Sequence, residues 1–140
     1  MTTNEPVAAP GTSRGRAVNI TLWVVQVLLA AFFLLAAAAP KLLGQQVAVE
    51  MFTQIGAGQW FRYLVGVLEL AGAVGLLIPR LAGLAALGLA GLMVGAVITQ
   101  IFILESAALA LTPAILIVVF GVIAWGRWPH TKALVGKLQR

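Results

Sequence analysis

Residues 66–79 read GVLELAGAVGLLIP, and the reading of this stretch decides the fold. It is an apolar, glycine-studded run with one carboxylate, Glu69, near its middle. Were it a soluble core helix, the acid would point to water. Were it a membrane span, the acid would sit at hydrocarbon depth, where it costs roughly 2.5–3.5 kcal/mol on insertion scales and has to face protein or trapped water.

Composition chooses between the two. Apolar residues make up 61% of the 140-residue chain and charged residues 9%. Soluble domains carry about 25% charged residues, so there is too little polarity here to clothe a soluble surface. The absence of cysteine rules out disulfides, thiol chemistry, iron–sulfur clusters and Cys-based zinc sites on this chain. The formal net charge of +5 is no nucleic-acid signal, because the basic residues flank apolar runs, where they set orientation and meet anionic headgroups.

Four apolar runs satisfy the length of about 20 residues that a crossing needs. They cover about 18–43, 62–78, 81–104 and 107–125. The predicted fold is therefore all-α: an integral membrane four-helix up-down bundle. Residues 1–17, rich in Thr, Pro, Ala and Gly, read as a disordered cytoplasmic tail. Arg14, Arg16 and Ala36–Ala39 imitate a signal peptide around the first run. That run is longer than a signal core, and Pro40 directly after the small residues makes a poor cleavage partner, so an uncleaved span is expected. Between spans one and two, Val47, Met51, Phe52 and Ile55 recur at helical spacing among Gln45, Gln46, Glu50 and Gln54. This predicts a short interfacial helix in the first loop, ended by Gly56 and Gly58. Residues 127–140 read as a basic cytoplasmic tail. Four spans place Arg14, Arg16, Arg80, Arg127, Lys132, Lys137 and Arg140 on one side against Lys41 and Arg62 on the other, so both termini are expected in the cytoplasm.

Packing and polar residues suggest where function lies. On the third span Ala85, Gly88, Gly91, Gly95 and Thr99 follow three- and four-residue steps. Gly88, Gly91 and Gly95 are the expected helix-packing positions, read either as contact inside the bundle or as the seam of a homo-oligomer. Helix rise puts Glu69 roughly 10 Å below Arg62, too far for a direct ion pair. Lys41, Thr99, Gln100, Thr112 and Pro113 fall in the same outer half. Pro113 would also free a carbonyl one turn earlier. Two readings follow: an outward polar pocket of Lys41, Glu69, Thr99 and Gln100, or a buried latch in which Glu69 accepts bonds from Lys41 or Gln100 and nothing binds. Gln26 reads as a helix-contact residue and His130 as a headgroup contact. No catalytic constellation, cofactor motif or metal-ligand cluster is apparent, and with no membrane-embedded His a bis-His haem is excluded.

The chain resembles the DoxX-like family of small four-span bacterial membrane proteins. The resemblance is carried by Ala39-Pro40-Lys41-Leu42-Leu43, by Gly66-Val67-Leu68-Glu69-Leu70-Ala71-Gly72 with Leu76-Leu77, by Ala96 through Gln100, and by Pro113. It runs from about Trp23 to Trp125. It implies a multi-pass protein of the bacterial plasma (inner) membrane. The family's namesakes are associated with a membrane thiosulfate:quinone oxidoreductase and with redox-stress complexes, and other relatives are treated as accessory or assembly factors. Many relatives carry a His near the position of Gln100, where this chain does not. The expected function is an accessory or assembly subunit of a membrane complex, without catalysis of its own, in contact with lipid, a membrane-protein partner and no nucleic acid. The alternatives are the membrane subunit of a quinone-linked oxidoreductase whose redox centres come from a partner, and small-molecule or ion transport through the pocket at Glu69.

Overall fold

The computed structural model describes residues 12–139, and the side chains of 15–139. Helix α1 (Thr12–Phe32) continues without a break through a π-helical stretch (Phe33–Ala38) into the single turn of α2 (Ala39–Leu42). Then come α3 (Gln46–Ile55), α4 (Gln59–Leu76), α5 (Ala82–Phe102), α6 (Ala107–Gly126) and α7 (Trp128–Leu138). There is no strand among the described residues.

The π-helical stretch has a local cause. Pro40 has no N–H to give the carbonyl of Ala36, so the ordinary four-residue bond is missing at that point. Upstream the ladder widens, and the Ala39 N–H reaches back five residues to Leu34 O. Such bulges cluster at functional sites, and this one lies beside the cavity described below.

Three segments are long and apolar enough to cross a membrane: Gly15–Leu42, Ala82–Phe102 and Ala107–Gly126. Helix α4, at 18 residues, falls outside that set because Gln59, Arg62 and Glu69 dilute its apolar content. It packs with the others all the same: α1 lies against α4 and α6, α4 against α5, and α5 against α6. The core between them holds Phe33 and Phe120, edge to face at 5.4 Å, with Ala30, Leu76, Leu89 and Ile123. Outward faces are just as greasy. Leu28, Leu35, Val118 and Trp125 are exposed by 65%, 70%, 67% and 79%, a surface suited to acyl chains and not to water.

Three expectations can be set against the structure. Inside the bundle Gly88, Gly91 and Gly95 make no close helix contact: they are exposed and would find nothing within 4 Å of an added Cβ. The stripe of α5 that faces inward runs through Ala82, Ala86, Leu89 and Met93, and the glycines fall beside it. Close approach occurs instead at Gly72, where a Cβ would stand 2.5 Å from Leu89 Cδ2, and at Gly75, 2.8 Å from Ala85 Cβ. Next, the expected C-terminal tail is the helix α7, held to α5 through Thr131 against Gly83. Last, α1 begins at Thr12, so part of the expected N-terminal tail is helical; residues 1–11 lie outside the described residues.

Between α2 and α4 the helix α3 forms where the 45–58 pattern predicts one. Gly56 ends it in the left-handed region at φ 81°, and Gly58 opens α4 at φ 106°, values that an L side chain adopts only with strain.

Candidate functional site

Lys41 and Glu69 meet although 28 positions apart. Gly66 eases this approach: a Cβ there would lie 3.0 Å from Leu42 Cδ2 and 3.2 Å from Lys41 Cβ, contacts tight enough to press on α2. Lys41 Nζ donates to Glu69 Oε1 at 3.2 Å and to the Ala37 carbonyl at 3.1 Å, and stands 3.0 Å from Glu69 Oε2. That last contact is an ion pair without hydrogen-bond alignment, so Oε2 remains an unbonded buried acceptor. The ammonium thus makes two hydrogen bonds and one further ionic contact. Ala37 belongs to the π-helical stretch, which ties the bulge to the pair.

Arg62 does not reach Glu69, as its distance along α4 predicts. Its Nη1 donates to the Lys41 carbonyl, its Nε to Gln59 Oε1 at 2.7 Å, and its guanidinium lies over the Tyr63 ring at 4.3 Å. It is buried and braces the end of α2, the turn that carries Lys41.

The pair opens onto a cavity of about 600 Å³. Lys41 and Glu69 line one wall, and Thr99 and Gln100 of α5 line another. Thr112 and Pro113 of α6 complete the polar part, and Met51, Phe52 and Ile55 of α3 also line the cavity. All four residues predicted for a pocket therefore border one space. Thr99 Oγ1 donates to Gly95 O at 2.8 Å, which leaves its oxygen free to accept. Gln100 Oε1 is buried and has no hydrogen-bond partner among the described residues. Such a group is costly unless something fills the site. Gly91 and Gly95 form part of the cavity wall, where a missing side chain leaves room.

A second polar cluster sits at the opposite end of the helices. Gln26, fully buried, donates to the Leu76 carbonyl at 2.7 Å and accepts from Arg127 Nε at 2.8 Å. Arg127 Nη1 donates to Asn19 Oδ1 at 2.6 Å, and its guanidinium lies 5.2 Å from the Trp23 ring. The cluster ties α1, α4 and the α6–α7 junction together. The sequence marks Arg127 only as one of the orienting bases, since a base in a basic run gives no sign of burial. His130 is exposed, and no group of three or more metal-ligating side chains occurs among the described residues.

Helices of spanning length, lipid-suited outer faces and an ion pair shielded by neighbouring helices define an integral membrane protein. The chain belongs to the DoxX-like family, whose model matches residues 24–123. No curated protein and no solved structure matches it.

Proposed function

We propose that this protein is a four-span plasma-membrane bundle, with both termini cytoplasmic, that serves as a non-catalytic accessory subunit and holds a small amphiphilic molecule in its outer half. The observation that carries the reading is the convergence of Lys41, Glu69, Thr99 and Gln100 on one cavity of about 600 Å³. That volume falls in the range of roughly 300–1,000 Å³ typical of small-molecule sites, and the lining is mostly apolar with a few placed polar groups. Under this reading α4 is the fourth span despite its polarity, because Arg62 and Glu69 are both buried against protein.

Transport is less well supported. Below Glu69 the core is Phe33, Ala73, Leu76, Leu89 and Phe120, and the next buried polar side chain toward the other end is Gln26. No polar path joins the two ends among the described residues.

Solvent extraction of the purified protein, followed by mass spectrometry, tests the binding role. One amphiphile class should be enriched over bulk membrane lipid and lost in Gly95→Trp, which fills the cavity. Identical lipid profiles for wild type, Gly95→Trp and bulk membrane would remove the support for a binding site. Recovery of the protein alone in mild-detergent pull-downs would end the accessory reading.

A further inference from the structure

The chemistry of the cavity constrains its occupant further, on the premise that the cavity is a binding site. We infer that it takes an uncharged, single-chain amphiphile whose head carries a hydroxyl or amide donor, with the head beside Gln100 and the chain lying between α1 and α6.

Charge is the first constraint. The charged groups lining the cavity are Lys41 and Glu69, and they neutralise each other. Lys41 carries no uncompensated charge for a ligand, since Glu69 already neutralises it and the Ala37 carbonyl also accepts from it. An anionic head would have to pull Lys41 away from Glu69 and leave a carboxylate unpaired in a low-dielectric site. A cationic head would meet a carboxylate already neutralised by Lys41 and add an uncompensated charge. Either leaves an unpaired charge in a buried site, which is strongly unfavourable. Arg62 offers no substitute, being bonded to Lys41 O and Gln59.

Hydrogen bonding is the second constraint. The acceptors on cavity-lining residues without a full set of donors are Gln100 Oε1, Thr99 Oγ1 and Glu69 Oε2. A head that only accepts would leave Gln100 Oε1 unsatisfied. A hydroxyl or an amide N–H satisfies it and can accept from the Gln100 amide or the Thr112 hydroxyl in return.

Shape is the third. A second cavity, of about 430 Å³, adjoins the first and shares Phe32, Thr112 and Leu116 with it. Its remaining lining is Val25, Leu28 and Leu29, so apart from Thr112 every side chain is hydrocarbon. From Phe32 to Val25 the groove follows α1 for about 10 Å. A polar compartment continuing into one open hydrocarbon groove fits one head and one chain.

The test is native mass spectrometry of the full chain, titrated with 1-monooleoylglycerol, oleate and oleylamine, which share a chain and differ in head. The neutral glycerol ester should bind at least about tenfold more tightly than either charged probe. Gln100→Leu should weaken it about three- to tenfold, the equivalent of one neutral hydrogen bond. Leu28→Trp, at an exposed groove position, should weaken 1-monooleoylglycerol while leaving short-chain 1-monocapryloylglycerol unchanged. Equal or tighter binding of oleate or oleylamine overturns the uncharged-head inference and leaves the cavity as a binding site. An unchanged affinity in Gln100→Leu overturns the placement of the head. Failure of all the probes to bind overturns this inference and the binding role together.

Discussion

Removing Glu69 alone should be far worse than removing Glu69 and Lys41 together. In Glu69→Leu the Lys41 ammonium keeps one acceptor, the Ala37 carbonyl, and loses both carboxylate oxygens. The two side chains are only 17% and 5% exposed, so little water reaches the stranded charge. Breaking a buried pair from one side costs about 3–5 kcal/mol, whereas replacing both members with apolar groups of similar size is often neutral. Glu69→Gln should fall between, since an amide oxygen still accepts from Lys41; a loss of about 1–2 kcal/mol is expected. The expected order of stability is wild type and Lys41→Met/Glu69→Leu together, then Glu69→Gln, then Glu69→Leu. Reversible unfolding in mixed micelles, followed by tryptophan fluorescence, measures it, and the coupling in the double-mutant cycle should exceed about 1.5 kcal/mol. If Glu69→Leu is tolerated within about 0.5 kcal/mol, or the two single losses simply add, the pair is not a shielded unit and the reasoning fails.

Other predictions follow from the packing. Arg127→Leu should cost about 1–3 kcal/mol in the same assay, because it leaves the buried Gln26 Oε1 without its donor and removes the tie to the exposed Asn19. Arg127→Lys should not restore it, since one ammonium cannot reproduce a guanidinium fork that reaches both. Gly75→Ala should destabilise by about 1–3 kcal/mol because Ala85 has no flexible end to move aside. Gly88→Ala, with open space around it, should be neutral or stabilising by up to about 1 kcal/mol. A destabilised Gly88→Ala would point to a second helix seated on that face.

Much of this is legible in the sequence because membranes simplify the problem. Hydropathy locates the long helices, and helix rise gives relative depth, which is enough to place Lys41, Glu69, Thr99 and Gln100 at one level. Depth says nothing about which way a residue faces. Five glycines on the third and neighbouring helices look alike in a sequence, yet Gly72 and Gly75 meet another helix and Gly88, Gly91 and Gly95 do not. The same limit hides Arg127, whose burial depends on α7 folding back and on Gln26 facing it from about a hundred positions away. The π-helical stretch could have been suspected from Pro40 inside a spanning run, but its exposure of Ala37 O to Lys41 depends on the three-dimensional path. Helix α4 is the hardest element to read from composition. Its polar residues make it look unfit for lipid, and only their partners in other segments show that they are covered.

The crossing of α4 is therefore the point to measure. The chain lacks cysteine, so Glu50→Cys in α3 and Gln139→Cys after α7 can each be introduced without background and labelled on intact cells with a membrane-impermeant maleimide. A crossing α4 places these positions on opposite sides: Cys at 50 reacts from outside and Cys at 139 reacts only after the membrane is opened. If both react from the same side, α4 does not cross, and the outer cavity built on Glu69 has no place in the bilayer.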